Sequence, residues 1–308
     1  MGNLLTNDWP ALDYTDVAGT LRTLQRYTQI AGKVRLQLSP PRPEWLSSCL
    51  YLTARGITTG PMPQGALAAQ IDFDLLDHEI VVSASDGRVR RIPLLPAPCV
   101  GSVWKQVHAA FDDFGIELDL WTKPQEVADV TPLDTDAIHC EYEPDAIHTW
   151  FAVMTAARNV LDGWSSGFWG RTSIQFWWGG FDLSVVRFNG KRVAPRPDGG
   201  YVKRWDQNGE YIGAGFWPGN DGFPNPMFSA YISPEPPGCD QAEMPSGATW
   251  SPEMGLWILP YEVARAVEDP AALLTSFLDS VYAFAGTAAG WSLESFSYEK
   301  PAPSERKW

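Results

Sequence analysis

IDFDLLDHEIVVSASDGRVRRIPLL, residues 71–95, sets the fold class. Ile71-Asp72-Phe73-Asp74-Leu75 alternates apolar and acidic residues, the two-residue period of a half-buried strand. Ile80 to Ser83 and Val89 to Leu94 flank Ser85-Asp86-Gly87-Arg88, where Asp-Gly tolerates the positive φ of a tight hairpin. The stretch therefore predicts antiparallel strands. Helices lie outward of it. Asp16 is expected to cap one with Val17, Leu21, Leu24 and Tyr27 or Thr28 along one face. A second covers about 101–114, with Val103, Val107, Ala110 and Phe111 on one side. Pro144 opens a third, striped by Ile147, Phe151, Met154 and Leu161. Asp269-Pro270 opens a fourth with Leu274, Phe277, Val281 and Phe284. Further strands read at 181–188, 211–214, 228–233 and 256–259.

The order repeats. Each half gives a helix, several strands, a helix and a last strand, at Ile116–Trp121 and at Ser292–Tyr298. Gln29-Ile30-Ala31-Gly32 resembles Gln175-Phe176-Trp177-Trp178-Gly179, and Gly115 through Pro124 echoes Gly290 through Pro301. The expected fold is α+β: two tandem pseudo-repeats, helix-grip-like, with a pocket between sheet and helix or between repeats. The boundaries read 1–124 for the first repeat, 125–142 for an acidic linker, 143–301 for the second repeat and 302–308 for a tail.

Composition narrows the function. The 308 residues carry a formal charge of −14 and are 44% hydrophobic. Such a chain buries a core but suits neither a phosphate backbone nor an anionic membrane surface. Residues 110–145 hold eleven acids against Lys123 alone, which reads as a solvated connector. No basic region precedes an apolar core at the start, so no signal peptide is expected, and no run of 18 apolar residues marks a membrane span. Cys49, Cys99, Cys140 and Cys239 lie far apart without a CxxC, which predicts reduced thiols in a cytoplasmic protein. The 15 tryptophans, five of them between Trp164 and Trp205, serve a core or a ligand with flat faces.

Four segments carry a family resemblance: Thr53-Ala54-Arg55-Gly56-Ile57-Thr58-Thr59, Ile71-Asp72-Phe73-Asp74, Trp178-Gly179-Gly180-Phe181-Asp182-Leu183 and Gly215-Phe216-Trp217-Pro218-Gly219. With Pro260-Tyr261 and the final helix, they resemble the bacterial family catalogued as domain of unknown function 5996, over nearly the whole chain. The name implies no activity. The resemblance does imply histidines where this chain has Glu44, Gln175 and Gly209, and three histidines on neighbouring strands would suit a metal. Either a metal site has been lost here, or those histidines only satisfy hydrogen bonds as Gln175 could.

No GxSxG, GxGxxG or GxxxxGK[ST] appears. Asp72 and Asp74 share one side of a strand, about 7 Å apart by strand geometry; they face solvent, or form an acid/base pair opposite Arg55. Arg55 needs a partner in Asp72, Asp182 or an anionic ligand group, and Asp182 needs one in Arg187 or Arg171. Arg55, Asp182, Asp72 and Asp74 are thus the catalytic candidates. Trp177, Trp178, Phe216 and Trp217 beside glycines, with Gln175, Glu44, Trp45 and Tyr51, form the expected ligand wall. The reading is a cytoplasmic protein that binds a small organic molecule, an enzyme using carboxylate acid/base chemistry with no cofactor and no metal. The alternatives are a non-catalytic ligand- or protein-binding module, and a metalloenzyme in which Glu44 joins distant histidines.

Overall fold

Helix α1 (Tyr14–Leu38) is the longest helix of this computed structural model, which describes residues 9–194, 206 and 208–298. Asp13 begins it, accepting a hydrogen bond from the Thr15 amide at 2.9 Å and so satisfying a free N–H of the first turn. The expected cap, Asp16, instead sits within that turn, where an acid favours the helix dipole. Leu21, Leu24, Tyr27, Ile30 and Val34 are buried, and so are Thr20, Thr23, Arg26, Gln29 and Lys33. Much of α1 is therefore enclosed all round, and its polar residues need partners inside the protein.

Strands β1 (Tyr51–Leu52), β2 (Gly56–Thr58), β3 (Met62–Gln64), β4 (Leu67–Asp74), β5 (Glu79–Ala84) and β6 (Val89–Pro93) follow. They form an antiparallel sheet in the order β1-β2-β4-β5-β6, with β3 on β4. Register sets Ile57 opposite Phe73, Phe73 opposite Ile80 and Ile80 opposite Ile92, all four buried. The expected hairpin is β5–β6, with Gly87 at φ 95°. Helix α2 (Val100–Asp113) then packs on α1.

After α3 (Pro144–Ser165), a second antiparallel sheet contains β7 (Gln175–Trp177), β8 (Asp182–Arg192), β9 (Gly209–Trp217), β10 (Met227–Ser233), β11 (Thr249–Ser251) and β12 (Leu256–Pro260). Its order is β11-β12-β10-β9-β8-β7. Helices α4 (Tyr261–Arg265) and α5 (Pro270–Ala288) close the described fold, which is α+β. One compact unit comprises Met1–Thr155, Gln175–Leu183 and Trp217–Pro226; the other comprises Ala156–Ile174, Ser184–Phe216 and Met227–Trp308. In the second unit, Phe216 packs on Phe228 and Tyr261, and Trp257 meets Trp250 and Phe284. Among the described residues, α5 alone is long and apolar enough by composition to cross a membrane. Here Leu274, Phe277, Leu278 and Val281 are buried while Thr275, Ser276 and Asp279 face outward, the division of an amphipathic surface helix.

Several expectations give way. Ile116–Trp121 joins no strand ladder, because the Gln37 side chain satisfies its backbone: Nε2 donates to the Glu117 carbonyl at 3.1 Å and Oε1 accepts from the Asp119 amide at 3.0 Å. The strand expected at Ser292–Tyr298 is a 3-10 turn at Leu293–Phe296. Within 125–142, Leu133 and Asp136 are fully buried while Glu126, Asp129 and Glu141 are exposed, and the stretch belongs to the first unit. Nor are all four thiols free. Cys99 and Cys140 form a disulfide, while Cys49 and Cys239 are free and buried. Spacing hid this pair: residues 136–139 dock on the start of α2 through Val100 N–H to His139 O and Gly101 N–H to Asp136 O, at 3.1 and 2.8 Å, which places Cys140 beside Cys99. The Lys300-Pro301 match, Trp205, the tail and the first eight residues lie outside the described residues.

Gly32 brings α1 close to the turn after β7, since a Cβ there would stand 2.2 Å from the Trp178 indole. Gly32→Ala should destabilise the protein by about 1–3 kcal/mol, as overpacking does, in a urea titration. Gly163→Ala, with nothing within 4 Å of its Cβ, should not.

Candidate functional site

Every fourth residue of α1 from Gln25 is a long polar side chain: Gln25, Gln29, Lys33 and Gln37. Each binds main chain. Gln25 Nε2 donates to Gly179 O at 2.6 Å. Gln29 donates to Gln125 O at 2.8 Å and accepts from the Gln125 amide at 2.7 Å. Lys33 Nζ donates to Lys123 O at 2.9 Å, and Gln37 holds 117–119 as described. Residues 117–125 are thus held along α1 by side chains that imitate a neighbouring strand.

The turn after β7 docks on the same helix. Phe181 N–H donates to Trp177 O at 2.7 Å, and Phe181 takes φ 63°. The Trp178 ring rests on Gly32, and its Nε1 donates to Ser48 O at 2.9 Å. Ser48 N–H in turn donates to Trp45 O at 2.7 Å, and Leu50 pairs antiparallel with Phe176. Trp217 Nε1 donates to Gly180 O at 3.1 Å while its ring stacks on Phe223. Glu126 lies against the two glycines: a Cβ on Gly179 would be 2.2 Å from its Oε2, and it accepts from the Gly180 amide. Loss of water around the Glu126 carboxyl raises its pKa above the usual carboxylate value, although the residue as a whole keeps solvent contact.

Backbone strain concentrates here. Five described non-glycine residues have positive φ, and three of them, Trp45, Glu126 and Phe181, belong to this network, with Glu44 preceding Trp45 in the chain. Such conformations cost about 1–3 kcal/mol each and persist where surrounding contacts enforce them. Lys33 completes the site. It is 6% exposed, and its Nζ lies 5.4 Å from the Trp121 ring centroid and 5.8 Å from that of Trp178. Burial pulls its ammonium down to about 8.

The family described as Family of unknown function (DUF5996) matches residues 9–298 of the sequence. The chain belongs to this family. No curated protein and no solved structure matches it.

In this DUF5996 chain the expected wall residues divide. Trp45, Trp177, Trp178 and Trp217 lie in the network above, Glu44, buried, precedes Trp45, and Gln175, 3% exposed, begins the strand that leads into the turn. Tyr51 accepts from Arg35 Nη2 at 3.3 Å and from the Cys49 thiol at 3.5 Å, under the Arg35 guanidinium. Phe216 lies in the core of the second unit, to which Gly209 also belongs. Trp178 itself fills the space on α1, and an open depression lined by Thr275, Ser276 and Asp279 lies on α5.

Three catalytic candidates share one part of the first sheet. Asp72 and Asp74 alternate with the buried Ile71 and Phe73. Arg55, about half exposed, binds Asp74 at 2.6 Å and Asp77 at 2.7 Å, and Asp72 accepts from Gln70 Nε2 at 2.9 Å. Asp182 opens β8, with Oδ1 2.5 Å from where a Gly180 Cβ would stand. Arg187 is buried in the second unit, 3.5 Å above Trp164, where its Nη2 donates to Trp164 O.

Two further clusters lie outside the sequence-based candidates. His139 Nδ1 lies 2.7 Å from Asp136 Oδ2, which is also 3.5 Å from Arg26 Nε. His78 shares a 3.1 Å hydrogen bond with Tyr142 and sits 5.0 Å from the His148 ring. Burial and His148 lower the pKa of His78. Among the described residues, the one group of three metal-ligand types is Asp74, Asp77 and Glu79, already paired with Arg55 and Arg91. Lys33 and Glu126 were missed; the i, i+4 row of long polar residues on an apolar helix was the available signal for Lys33.

Glu126 should titrate visibly in stability. Its raised pKa favours folding below the unfolded carboxyl pKa, and that advantage is lost as pH rises through the folded value. Glu126→Gln should therefore gain stability relative to the parent as pH rises through that window, followed by urea unfolding across pH. In non-reducing peptide mapping of air-oxidised protein, Cys99 and Cys140 should appear in one linked peptide pair. Cys49 and Cys239 should alkylate only after unfolding.

Proposed function

We propose that this protein binds a small organic molecule at the Trp177–Phe181 turn and acts on it as a metal-independent enzyme of accessory or secondary metabolism. The observation that carries this reading is the gathering of Glu126, Phe181 and, by way of Ser48, Trp45, all three at positive φ, around adjacent glycines and indoles. Glu126, whose carboxyl pKa is raised by loss of water and which lies against Gly179 and Gly180, is the acid/base group of the proposal. The half-buried Trp45, Trp177 and Trp217 offer flat apolar faces to a ligand.

In this reading the chain is a tandem duplication, supported by the recurring order of helix, six strands and helices. Since Trp178 fills the space against α1, the ligand of this reading rests on the half-buried indoles of the turn. The protein works in the cytoplasm, without nucleic acid or membrane as partner. A second reading, a protein-binding module, is favoured by Trp121 and Trp169, 65% and 66% exposed.

A metabolite screen by tryptophan fluorescence tests the proposal. Trp177→Ala and Gly179→Ala should each weaken a hit by about tenfold or more, equivalent to ~1.4 kcal/mol, whereas Arg55→Ala should leave it unchanged. Glu126→Gln should retain binding and lose about 10²–10⁴ in turnover. Hits indifferent to both turn substitutions would overturn the reading.

A further inference from the structure

Lys33 is a buried amine without an acid. Its Nζ has one hydrogen-bond acceptor, Lys123 O at 2.9 Å, and otherwise faces the indoles of Trp121 and Trp178. No ion pair involves it among the described residues, and burial is the single cause that displaces its pKa, down to about 8. A structural lysine at such depth ordinarily recruits a carboxylate, because an unpaired buried ammonium is costly. This environment brings the ammonium down to about 8, so a larger share of the amine is neutral near physiological pH than for a solvated lysine, and the neutral form is the nucleophile. Access is short: Trp121, beside Nζ, is itself 65% exposed, so Nζ stands one side-chain layer from solvent. The two indoles also set the shape of a partner, since a planar group can stack where the ammonium now rests.

We propose that Lys33 is a covalent attachment point for an aromatic or other planar aldehyde or ketone, held as an imine between Trp121 and Trp178. The Nζ lone pair attacks the carbonyl carbon to give a carbinolamine. Its oxygen then leaves as water with the two amine protons, and a C=N bond replaces C=O. No oxidant or reductant is needed. The proposal rests on the small-molecule reading of the same site and names its substrate class.

The test uses the full-length protein, benzaldehyde and sodium cyanoborohydride, with peptide mass mapping of all seven lysines. Lys33 should gain one benzyl group at least about tenfold faster than any other lysine, as a desolvated amine does, and Trp121→Ala should reduce that preference by removing one stacking face. Lys33→Met should abolish the fast adduct while keeping the parent's circular dichroism. Labelling of the parent spread over the exposed lysines, with Lys33 unmodified, would sink the proposal. The two readings fail separately. Metabolite hits sensitive to Gly179→Ala with no Lys33 adduct reject only the imine, whereas an adduct without such hits supports Lys33 and rejects the wider binding reading.

Discussion

A helix enclosed on every side must find partners for its polar side chains, and α1 meets that demand with main chain. Gln25, Gln29, Lys33 and Gln37 carry it at one-turn spacing, reaching Gly179, Gln125, Lys123 and residues 117–119. Leaving one such group unsatisfied costs about 1–3 kcal/mol, so the row fixes the path of 117–125 and one carbonyl of the tryptophan turn together. Arg26 extends the logic to 129–136, where Asp129 and Asp136 offset a guanidinium whose own pKa is lowered by burial. The disulfide then ties the end of that stretch to α2.

The candidate site inherits its geometry from this arrangement. Gly32 lets Trp178 approach α1, Gln25 holds Gly179, and Glu126 follows directly on the residue clasped by Gln29. Strain at Glu126 and Phe181 is sustained because the chain on either side is already anchored. A carboxyl with a raised pKa and an amine with a lowered one are therefore products of one packing problem, the enclosure of α1 and its neighbours.

Short-range pattern made much of the fold legible. The alternation at 71–75 and the Asp86-Gly87 turn gave β4 to β6, and apolar spacing gave the four long helices. Aromatic residues beside Gly179 and Gly180 pointed to the turn. Long-range partners were not legible. Gln37 meets Glu117 eighty residues away and Cys99 meets Cys140 forty-one away, and nothing local distinguishes these residues from solvated ones. Lys33 escaped notice because the sequence does not say that its helix is enclosed. Strand alternation at 116–121 was misleading for the same reason, since extended backbone there is satisfied by a side chain and not by another strand.

Side chains that grip peptide groups are blind to what those peptides carry. From Gln29 to Gln37 the row on α1 recognises only carbonyls and amides between 117 and 125, so most residues of that stretch are free to drift in identity while Gln29 and Gln37 are not. Variation among natural sequences would then be lopsided, conservative along the helix and permissive along the strap. The strap could acquire new side chains facing the tryptophan turn without disturbing its own attachment, a route by which one scaffold could serve different small molecules.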